Sequence, residues 1–176
     1  MSEPRETIRR LRADEPGLVL RLLDEAVEWF VSIGNTGQWG AEPFSSRPAA
    51  VERAQKWCEE DEGWVLERDA RAVAVLVLGD RTDYVPAVDE PELYVRLLVG
   101  SRRARGAGAR LLQHAVLRAE QRGVPLLRVD CYAGGTGDLV RYYEAHGFVR
   151  QEELDVRGWP CQVLGRRLMP ESASRR

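Results

Sequence analysis

The segment from Glu92 to Tyr132 constrains the fold of this chain more than any other part of its sequence. It opens with the apolar run ELYVRLLV, passes through the glycine- and arginine-rich turn SRRARGAGAR, and then carries the helical pattern LLQHAVLRAEQRG. A second apolar run, PLLRVDCYA, follows. Apolar runs bounded by turn residues predict strands, and a helix that joins two such runs predicts a β-α-β unit with parallel strands.

Patterns on both sides of this unit extend it into a chain of alternating strands and helices. Thr7–Ala13 predicts a first strand, and Asp14 is expected to cap a helix that ends at Gly34. A second helix is expected to open at Ser46 or the residue after it. The remaining patterns are, in chain order, the strands GWVLERD and RAVAVLVLGD, the turn and short helix GGTGDLVRYYEAHG, and the strands FVRQEELD and WPCQVLGRRL. The predicted order is β-α-α-β-β-β-α-β-α-β-β, an α/β or α+β fold.

Length and composition exclude several classes of protein. The chain has 176 residues, of which 44% are hydrophobic, and this suits one domain with a filled core. We expect that domain at residues 1–170 and a disordered tail at 171–176. No apolar run approaches the ~20 residues of a membrane helix, and the polar N-terminus favours a cytoplasmic protein. The net charge of -2 does not favour nucleic-acid binding.

Cysteine and histidine are too few and too scattered for several kinds of site. The chain has 3 cysteines and 2 histidines, and no C-x-x-C pair. Zinc sites and disulfide frameworks are therefore not expected. A Ser-His-Asp site has little material either.

The turn SRRARGAGAR has the chemistry of an anion site. The first amides of a helix are unpaired, the helix dipole adds partial positive charge, and glycine lets a ligand approach the backbone. A P-loop is excluded because the chain has no Gly-Lys pair, and the dinucleotide fingerprint fails because Leu111 stands at its third glycine. The pattern R/Q-x-x-G-x-G/A is matched by Arg103, Gly106 and Gly108. An arginine-rich helix end in solvent would explain the same residues without a ligand.

Residues 92–150 resemble the GNAT superfamily of acyl-CoA-dependent N-acetyltransferases. The resemblance rests on ELYVRLLV, RRARGAGARLL, LLRVDCYA and LVRYYEAHGFVR, the last of which is similar to the family signature F-Y-E-x-x-G-F. Residues 1–80 agree only in the order of their elements. The resemblance implies a central, mostly antiparallel mixed sheet of six to seven strands, about four flanking helices, and splayed fourth and fifth strands.

The resemblance also implies that acetyl-CoA is the co-substrate and that no metal is needed. The turn would bind the pyrophosphate, and the pantetheine arm would add to the backbone of the fourth strand, where the amide of Leu98 would polarise the thioester carbonyl. Thr136 stands where the family often has asparagine. The residues assigned to coenzyme A are Leu97, Leu98, Val99, Arg103, Ala104, Arg105, Gly106, Ala107, Gly108, Ala109, Arg110, Thr136 and Tyr143.

Two residues are implied as catalytic. Tyr143 would protonate the departing thiolate as a general acid, with Tyr142 as the competing assignment. Glu92 would accept the proton of the amine directly or through water, with Asp89 and Glu90 as alternatives. Cys131 could form an acyl-cysteine, although a small buried residue explains it as well.

The acceptor is expected to be a cationic amine, either a small molecule or a peptide. The tentative substrate residues combine aromatic rings with carboxylates, which suits such a ligand; they are Trp29, Trp39, Tyr84, Asp89 and Glu90. The predicted function is N-acetyl transfer by direct attack in a ternary complex. The alternatives are a non-catalytic acyl-CoA sensor of the same fold and a nucleotide-phosphate-binding α/β protein. The strand edge in WPCQVLGRRL is compatible with a homodimer.

Overall fold

The computed structural model describes residues 4–168, and its elements follow the predicted order. The predicted tail at 171–176 lies outside the described residues. A short 3-10 turn, Phe44–Ser46, is the one addition among the described residues. The helices are α1 (Pro16–Ser32), α2 (Pro48–Glu59), α3 (Ala107–Gln121) and α4 (Asp138–Ala145). The strands are β1 (Glu6–Arg10), β2 (Glu62–Arg68), β3 (Arg71–Gly79), β4 (Glu92–Gly100), β5 (Leu126–Tyr132), β6 (Val149–Val156) and β7 (Trp159–Arg167).

The chain forms two compact units, which are described separately. Unit 1 comprises Met1–Leu78 and Leu97–Leu111. Unit 2 comprises Gly79–Arg96 and Leu112–Arg176. Both β4 and α3 contribute residues to each unit. The single domain expected at residues 1–170 stays a prediction.

Unit 1 is built from the β1–β2–β3 antiparallel ladder and helices α1 and α2. Asp69 and Ala70 turn β2 into β3, with φ of 48° and 62°, the left-handed pair that fits a two-residue hairpin. One apolar face of α1 packs on the strands because its apolar residues recur at helical spacing. Its buried residues Val19, Leu22 and Leu23 share a core cluster with side chains of β2, β3 and the end of β4.

Unit 2 is built around β5. Its first residues pair in parallel with β4, from Glu92–Leu126 to Val95–Val129, and its other edge pairs antiparallel with β7. Strand β7 pairs in turn with β6. Both β4 and β5 continue beyond Val95 and Val129, so the parallel ladder covers only the first part of each strand.

The strand order is β1-β2-β3-β4-β5-β7-β6, a seven-stranded mixed sheet with four helices. This confirms the expected fold class. The continuous apolar run of β3 lies inside the sheet, as its composition predicts. Among residues 4–168, none of the helices combines the length and apolarity that crossing a membrane requires.

The start of α1 differs from the prediction. Glu15, and not Asp14, occupies the N-cap position, and no side chain caps the helix there. The Glu15 carboxylate accepts hydrogen bonds from Arg9 and from the amide of Arg12. The hydrogen bond from Arg9 holds the pKa of Glu15 below its usual value. Asp14 instead lies in solvent beside the Arg12 guanidinium, so an ion-pair network replaces the expected cap.

Candidate active site

The turn between β4 and α3 leaves backbone amides exposed and unpaired. The carbonyl of Ser101 accepts the amide of Ala104 at 3.0 Å, which starts the turn. Gly106 has φ of 79°, a left-handed conformation that costs glycine no steric strain. Among the described residues, no backbone carbonyl accepts the amides of Arg105, Gly106, Gly108 and Ala109. A set of free amides at a helix start is suited to a phosphate group.

The arginines of this turn divide by what their side chains contact. Arg102 stacks on the indole of Trp29, with 3.5 Å from its Cζ to the ring centroid. Arg103 and Arg105 are exposed, and neither side chain bonds to another residue of the described chain. These two guanidiniums are therefore free to bind an anion, whereas Arg102 is engaged in packing.

Arg68 is a residue beside the turn that the sequence analysis did not single out. Its Nε donates to Glu6 Oε1 at 2.6 Å, and Arg110 Nε donates to Glu6 Oε2 at 3.2 Å. The hydrogen bond from Arg68 lowers the pKa of Glu6. A Cβ placed on Gly106 would lie 3.9 Å from Arg68 Nη2. Because the contact depends on pairing between β1 and β2, no local sequence pattern marks Arg68.

A cavity of about 900 Å³ in unit 1 adjoins the turn. The helix α1 and the start of β3 form two of its walls, and Ser101 and Arg103 line it from the turn. A group bound at the turn therefore has open space on the α1 side.

The predicted pantetheine strand contributes its side chains mainly to packing. Leu97 and Val99 are buried in the core cluster of unit 1, and Leu98 is half-buried. The ladder with β5 ends at Val95, before these three residues. Their role toward a ligand would therefore rest on the backbone, as the sequence analysis expects.

Tyr143 lies inside unit 2, whereas Tyr142 is only half-buried. Tyr143 is 5% exposed and meets the ring of Phe148 edge-on at 5.6 Å. Burial raises the pKa of Tyr143 above its ordinary value, which at about 10 already leaves the hydroxyl protonated at neutral pH. Tyr142 packs against the His146 ring at 4.5 Å. The two phenols thus differ in environment, and Tyr143 is the one held away from bulk water.

Thr136 and Cys131 also lie in unit 2. The Thr136 hydroxyl donates a hydrogen bond to the Asp138 carboxylate at 2.5 Å, while Gly137 occupies the N-cap position of α4. Thr136 therefore does not cap α4. Burial raises the pKa of Cys131 to about 12, which leaves very little thiolate at neutral pH and favours the packing role of this cysteine.

Glu92 is held in an ion pair with Arg128. The Arg128 guanidinium donates to both Glu92 oxygens, at 2.5 Å and 3.0 Å, and to the carbonyl of Pro86 at 3.0 Å. The Arg128 side chain is only 1% exposed. The hydrogen bond to Glu92 raises the pKa of Arg128. A base role for Glu92 stays a prediction, and it would require one oxygen to leave this pair.

The two alternative carboxylates lie closer to solvent. Glu90 accepts a hydrogen bond from Arg167 Nη1 at 2.6 Å. Asp89 is exposed. Both stay predictions as substrate residues.

Asp130 forms a polar cluster that the sequence analysis missed. Its Oδ1 accepts the hydroxyl of Tyr94, and its Oδ2 accepts the hydroxyl of Tyr84 at 2.8 Å. Tyr94 is fully buried, whereas Tyr84 is 44% exposed. Burial, and then the charge of Asp130, raise the pKa of both tyrosines. Asp130 directly follows Val129, the last β5 residue paired with β4.

A sequence signal for this cluster exists. Arg128 and Asp130 are charged residues inside the apolar run PLLRVDCYA, on the same face of the strand because they are two residues apart. Charged residues are rarely fully buried without a partner. Such an interruption of a central strand predicts paired polar groups, although it does not identify the partners.

The two tryptophans predicted to bind substrate, Trp29 and Trp39, have packing partners in unit 1. The ring of Trp29 is stacked against the guanidinium of Arg102, as described above. Trp39 meets Phe30 edge-on at 5.7 Å and Phe44 edge-on at 5.5 Å, and it packs on the core cluster. Substrate roles for Trp29 and Trp39 stay predictions. Within residues 4–168, no three His, Cys, Asp or Glu side chains are grouped so that they could hold a metal ion.

Comparison with known proteins identifies the family. The sequence matches the family described as "Acetyltransferase (GNAT) family" over residues 22–148. The chain belongs to this GNAT acetyltransferase family. The resemblance seen in residues 92–150 is thereby confirmed and extended toward the N-terminus. No curated protein matched the chain.

Solved structures share the GNAT fold at low sequence identity. The ribosomal-protein-S18-alanine N-acetyltransferase from Escherichia coli has a TM-score of 0.67 at 16% identity, over 98% of this chain and 99% of that one. The ribosomal-protein-alanine N-acetyltransferase from Brucella melitensis has a TM-score of 0.65 at 19% identity, over 92% and 99%. The yncA protein from Salmonella typhimurium, solved with its cofactor acetyl-CoA, has a TM-score of 0.64 at 13% identity, over 97% and 98%.

Replacing Glu92 with glutamine should destabilise the protein. The change leaves the buried Arg128 guanidinium without its counter-charge, which we expect to cost about 3 kcal/mol and to lower the melting temperature by roughly 6–12 °C. The matched control is Glu90→Gln, which breaks the exposed pair with Arg167 and should cost less than about 1 kcal/mol. Equal melting temperatures for the two variants would show that the Glu92–Arg128 pair is not important for folding.

Proposed function

We propose that this GNAT protein transfers the acetyl group of acetyl-CoA to an amine, by direct attack of the amine with both substrates bound. The observation that supports this most is the set of free amides at Arg105, Gly106, Gly108 and Ala109. They lie in the part of the chain that matches the family. One structural neighbour was solved with acetyl-CoA as its cofactor.

The turn before α3 would hold the diphosphate of the co-substrate. The free amides would donate to phosphate oxygens, with the partial positive charge of the helix start behind them. Arg103 and Arg105, whose side chains are free, would add charge-assisted hydrogen bonds. Arginine suits this role because its guanidinium stays charged at all physiological pH values.

The backbone of β4 would receive the pantetheine arm. Leu97, Leu98 and Val99 lie beyond the end of the ladder with β5, so an extended ligand could pair with their backbone groups as an added strand. The amide of Leu98 would donate to the thioester oxygen, where negative charge grows during attack. Acetyl-CoA supplies the activated acetyl group, and these residues orient it.

Asp130 is our stronger candidate for the group that takes the proton of the amine. Its oxygens face the hydroxyls of Tyr84 and Tyr94, and the exposed Tyr84 can exchange its hydrogen bond with a substrate. Glu92 would first have to leave the two-oxygen pair with a buried guanidinium. A carboxylate beside aromatic rings also suits a cationic amine, which makes Asp130 and Tyr84 a candidate site for the acceptor.

Tyr143 would donate its proton toward the departing sulfur. Its hydroxyl is protonated at neutral pH, as that of any ordinary tyrosine is, and burial, which raises its pKa further, makes it a weaker acid. A thiol has an ordinary pKa of about 8.5 and leaves without much help. The contribution of Tyr143 should therefore be modest.

Binding of acetyl-CoA tests the proposed function directly. Acetyl-CoA at about 100 times its Kd should add about 2.7 kcal/mol of stability, a rise of roughly 5–10 °C in melting temperature. ATP and NAD should give no comparable rise. A response to either of them, with none to acetyl-CoA, would replace this proposal with a nucleotide-binding function.

A charge variant of the turn sharpens the same measurement. Ala109→Glu places a carboxylate in the first turn of α3, where it favours the helix itself but repels a diphosphate. The control Ala109→Gln has the same size without the charge. The glutamate variant should keep its own melting temperature and lose the acetyl-CoA response, whereas the glutamine variant should keep both.

Replacing Asp130 with asparagine should reduce turnover without reducing acetyl-CoA binding. Loss of a general base lowers kcat/KM by about a hundredfold or more, measured as thiol release with a panel of amines. The panel includes a peptide with an N-terminal alanine, because two structural neighbours are named for that substrate. Glu153→Gln, an exposed carboxylate change on β6, is the control. If Glu92→Gln, assayed while folded, loses turnover and Asp130→Asn does not, Glu92 is the base.

Replacing Tyr143 with phenylalanine should lower kcat by about tenfold, because the ring still packs but the hydroxyl is lost. Tyr142→Phe is the competing variant and should change kcat little. The measurement is kcat at saturating acetyl-CoA and amine. A larger loss in Tyr142→Phe would transfer the acid role to Tyr142.

A further inference from the structure

One face of helix α1 is fastened to the start of the phosphate-binding turn. Arg21, Glu25 and Trp29 are spaced four residues apart and therefore lie in one row along the helix. Ser101 Oγ donates to Glu25 Oε1 at 2.5 Å. The guanidinium of Arg102 stacks on Trp29. The first two residues after β4 are thus each held by a side chain of α1.

Ser101 passes this constraint to the backbone of the turn. Its Oγ accepts the amide of Arg103 at 3.3 Å, and its carbonyl accepts the amide of Ala104 at 3.0 Å. Its own amide donates to the carbonyl of Val73 at 2.7 Å. A change in the conformation of Ser101 would therefore reorient the turn that follows it, including the residues whose amides are free. The contact with Glu25 opposes that rotation.

Electrostatics alone would not place Glu25 here. A carboxylate beside an anion site repels the anion, and its neighbour Arg21 is 4.0 Å away, too far for a strong hydrogen bond. The Arg102 cation is likewise engaged on Trp29, where it adds packing and no phosphate contact. Glu25 and Arg102 therefore restrict the conformation of the turn and do not add favourable charge for an anion.

We propose that Glu25 and Trp29 are positioning residues that hold the turn in its phosphate-binding conformation before the ligand arrives. This rests on the proposed function, because it concerns the same coenzyme A site. A preorganised turn binds more tightly because less conformational freedom is lost on binding. The two residues act through Ser101 and Arg102 and do not contact the phosphate themselves.

The test compares coenzyme A affinity in matched variants by calorimetry. Glu25→Ala should weaken binding about tenfold, the value of one charge-assisted hydrogen bond. Glu25→Gln should stay within about threefold of the parent, because its amide oxygen still accepts the Ser101 hydroxyl. The control Glu28→Ala removes the same charge from an exposed position one turn along α1 and should leave binding unchanged or slightly tighter.

The direction of the Glu25→Ala effect separates the explanations. A pure charge effect predicts tighter binding, because a negative group is removed near a polyanion, whereas positioning predicts weaker binding. At saturating acetyl-CoA, kcat should be unchanged while the KM for acetyl-CoA rises. Glu25→Ala combined with Ser101→Ala should be no weaker than the worse single variant, since both remove the same contact.

Trp29→Leu provides a second measurement, independent of Glu25. It removes the ring beneath Arg102 and should weaken coenzyme A binding severalfold. In the double variant with Glu25→Ala, the two losses of binding free energy should add. Unchanged or tighter binding in both Glu25→Ala and Trp29→Leu would overturn the positioning role and leave the proposed function intact. A parent protein that does not bind coenzyme A would overturn the proposed function itself.

Discussion

The unpaired amides at the start of α3 are the feature on which the proposed phosphate-binding role of the preceding turn depends. A helix cannot satisfy its first amides internally, and a structure that exposes them must offer them to water or to an anion. In unit 1 the surrounding residues maintain that exposure. Gly106 takes the left-handed conformation that ends the turn, and Ser101 anchors its start to β3 and α1. The start of the turn is therefore held by contacts that do not involve its free amides.

Unit 2 differs from unit 1 because it buries charged side chains instead of leaving polar groups unpaired. Removing Arg128 fully and Asp130 partly from water is costly, and each is compensated by more than one hydrogen bond. The side chains of the Arg128–Glu92 pair are both largely buried, whereas the Asp130 cluster includes Tyr84, which is an exposed residue. Burial gives the Glu92–Arg128 pair a structural role. Access to solvent through Tyr84 allows the Asp130 cluster to exchange a hydrogen-bond partner with a ligand.

Sequence patterns were sufficient for the parts of this protein that are determined locally. The order of strands and helices follows from hydrophobic periodicity and glycine turns, and the turn motif lies within six consecutive residues, Arg103 to Gly108. What the sequence did not reveal depends on residues far apart in the chain. The Glu92–Arg128 pair spans 36 positions and the Arg68–Glu6 pair spans 62. Asp14 failed as a cap because Glu15 had a stronger set of partners from β1 and the turn after it.

The arrangement in unit 2 also bears on whether the family member is an enzyme or a sensor. A domain that only binds acyl-CoA needs the phosphate-binding turn and the backbone of β4. It has no use for a carboxylate held in a central strand by one buried and one exposed phenol, which costs desolvation and limits packing. A partly buried carboxylate with an exposed hydrogen-bond partner therefore favours a protein that moves protons, and hence catalysis.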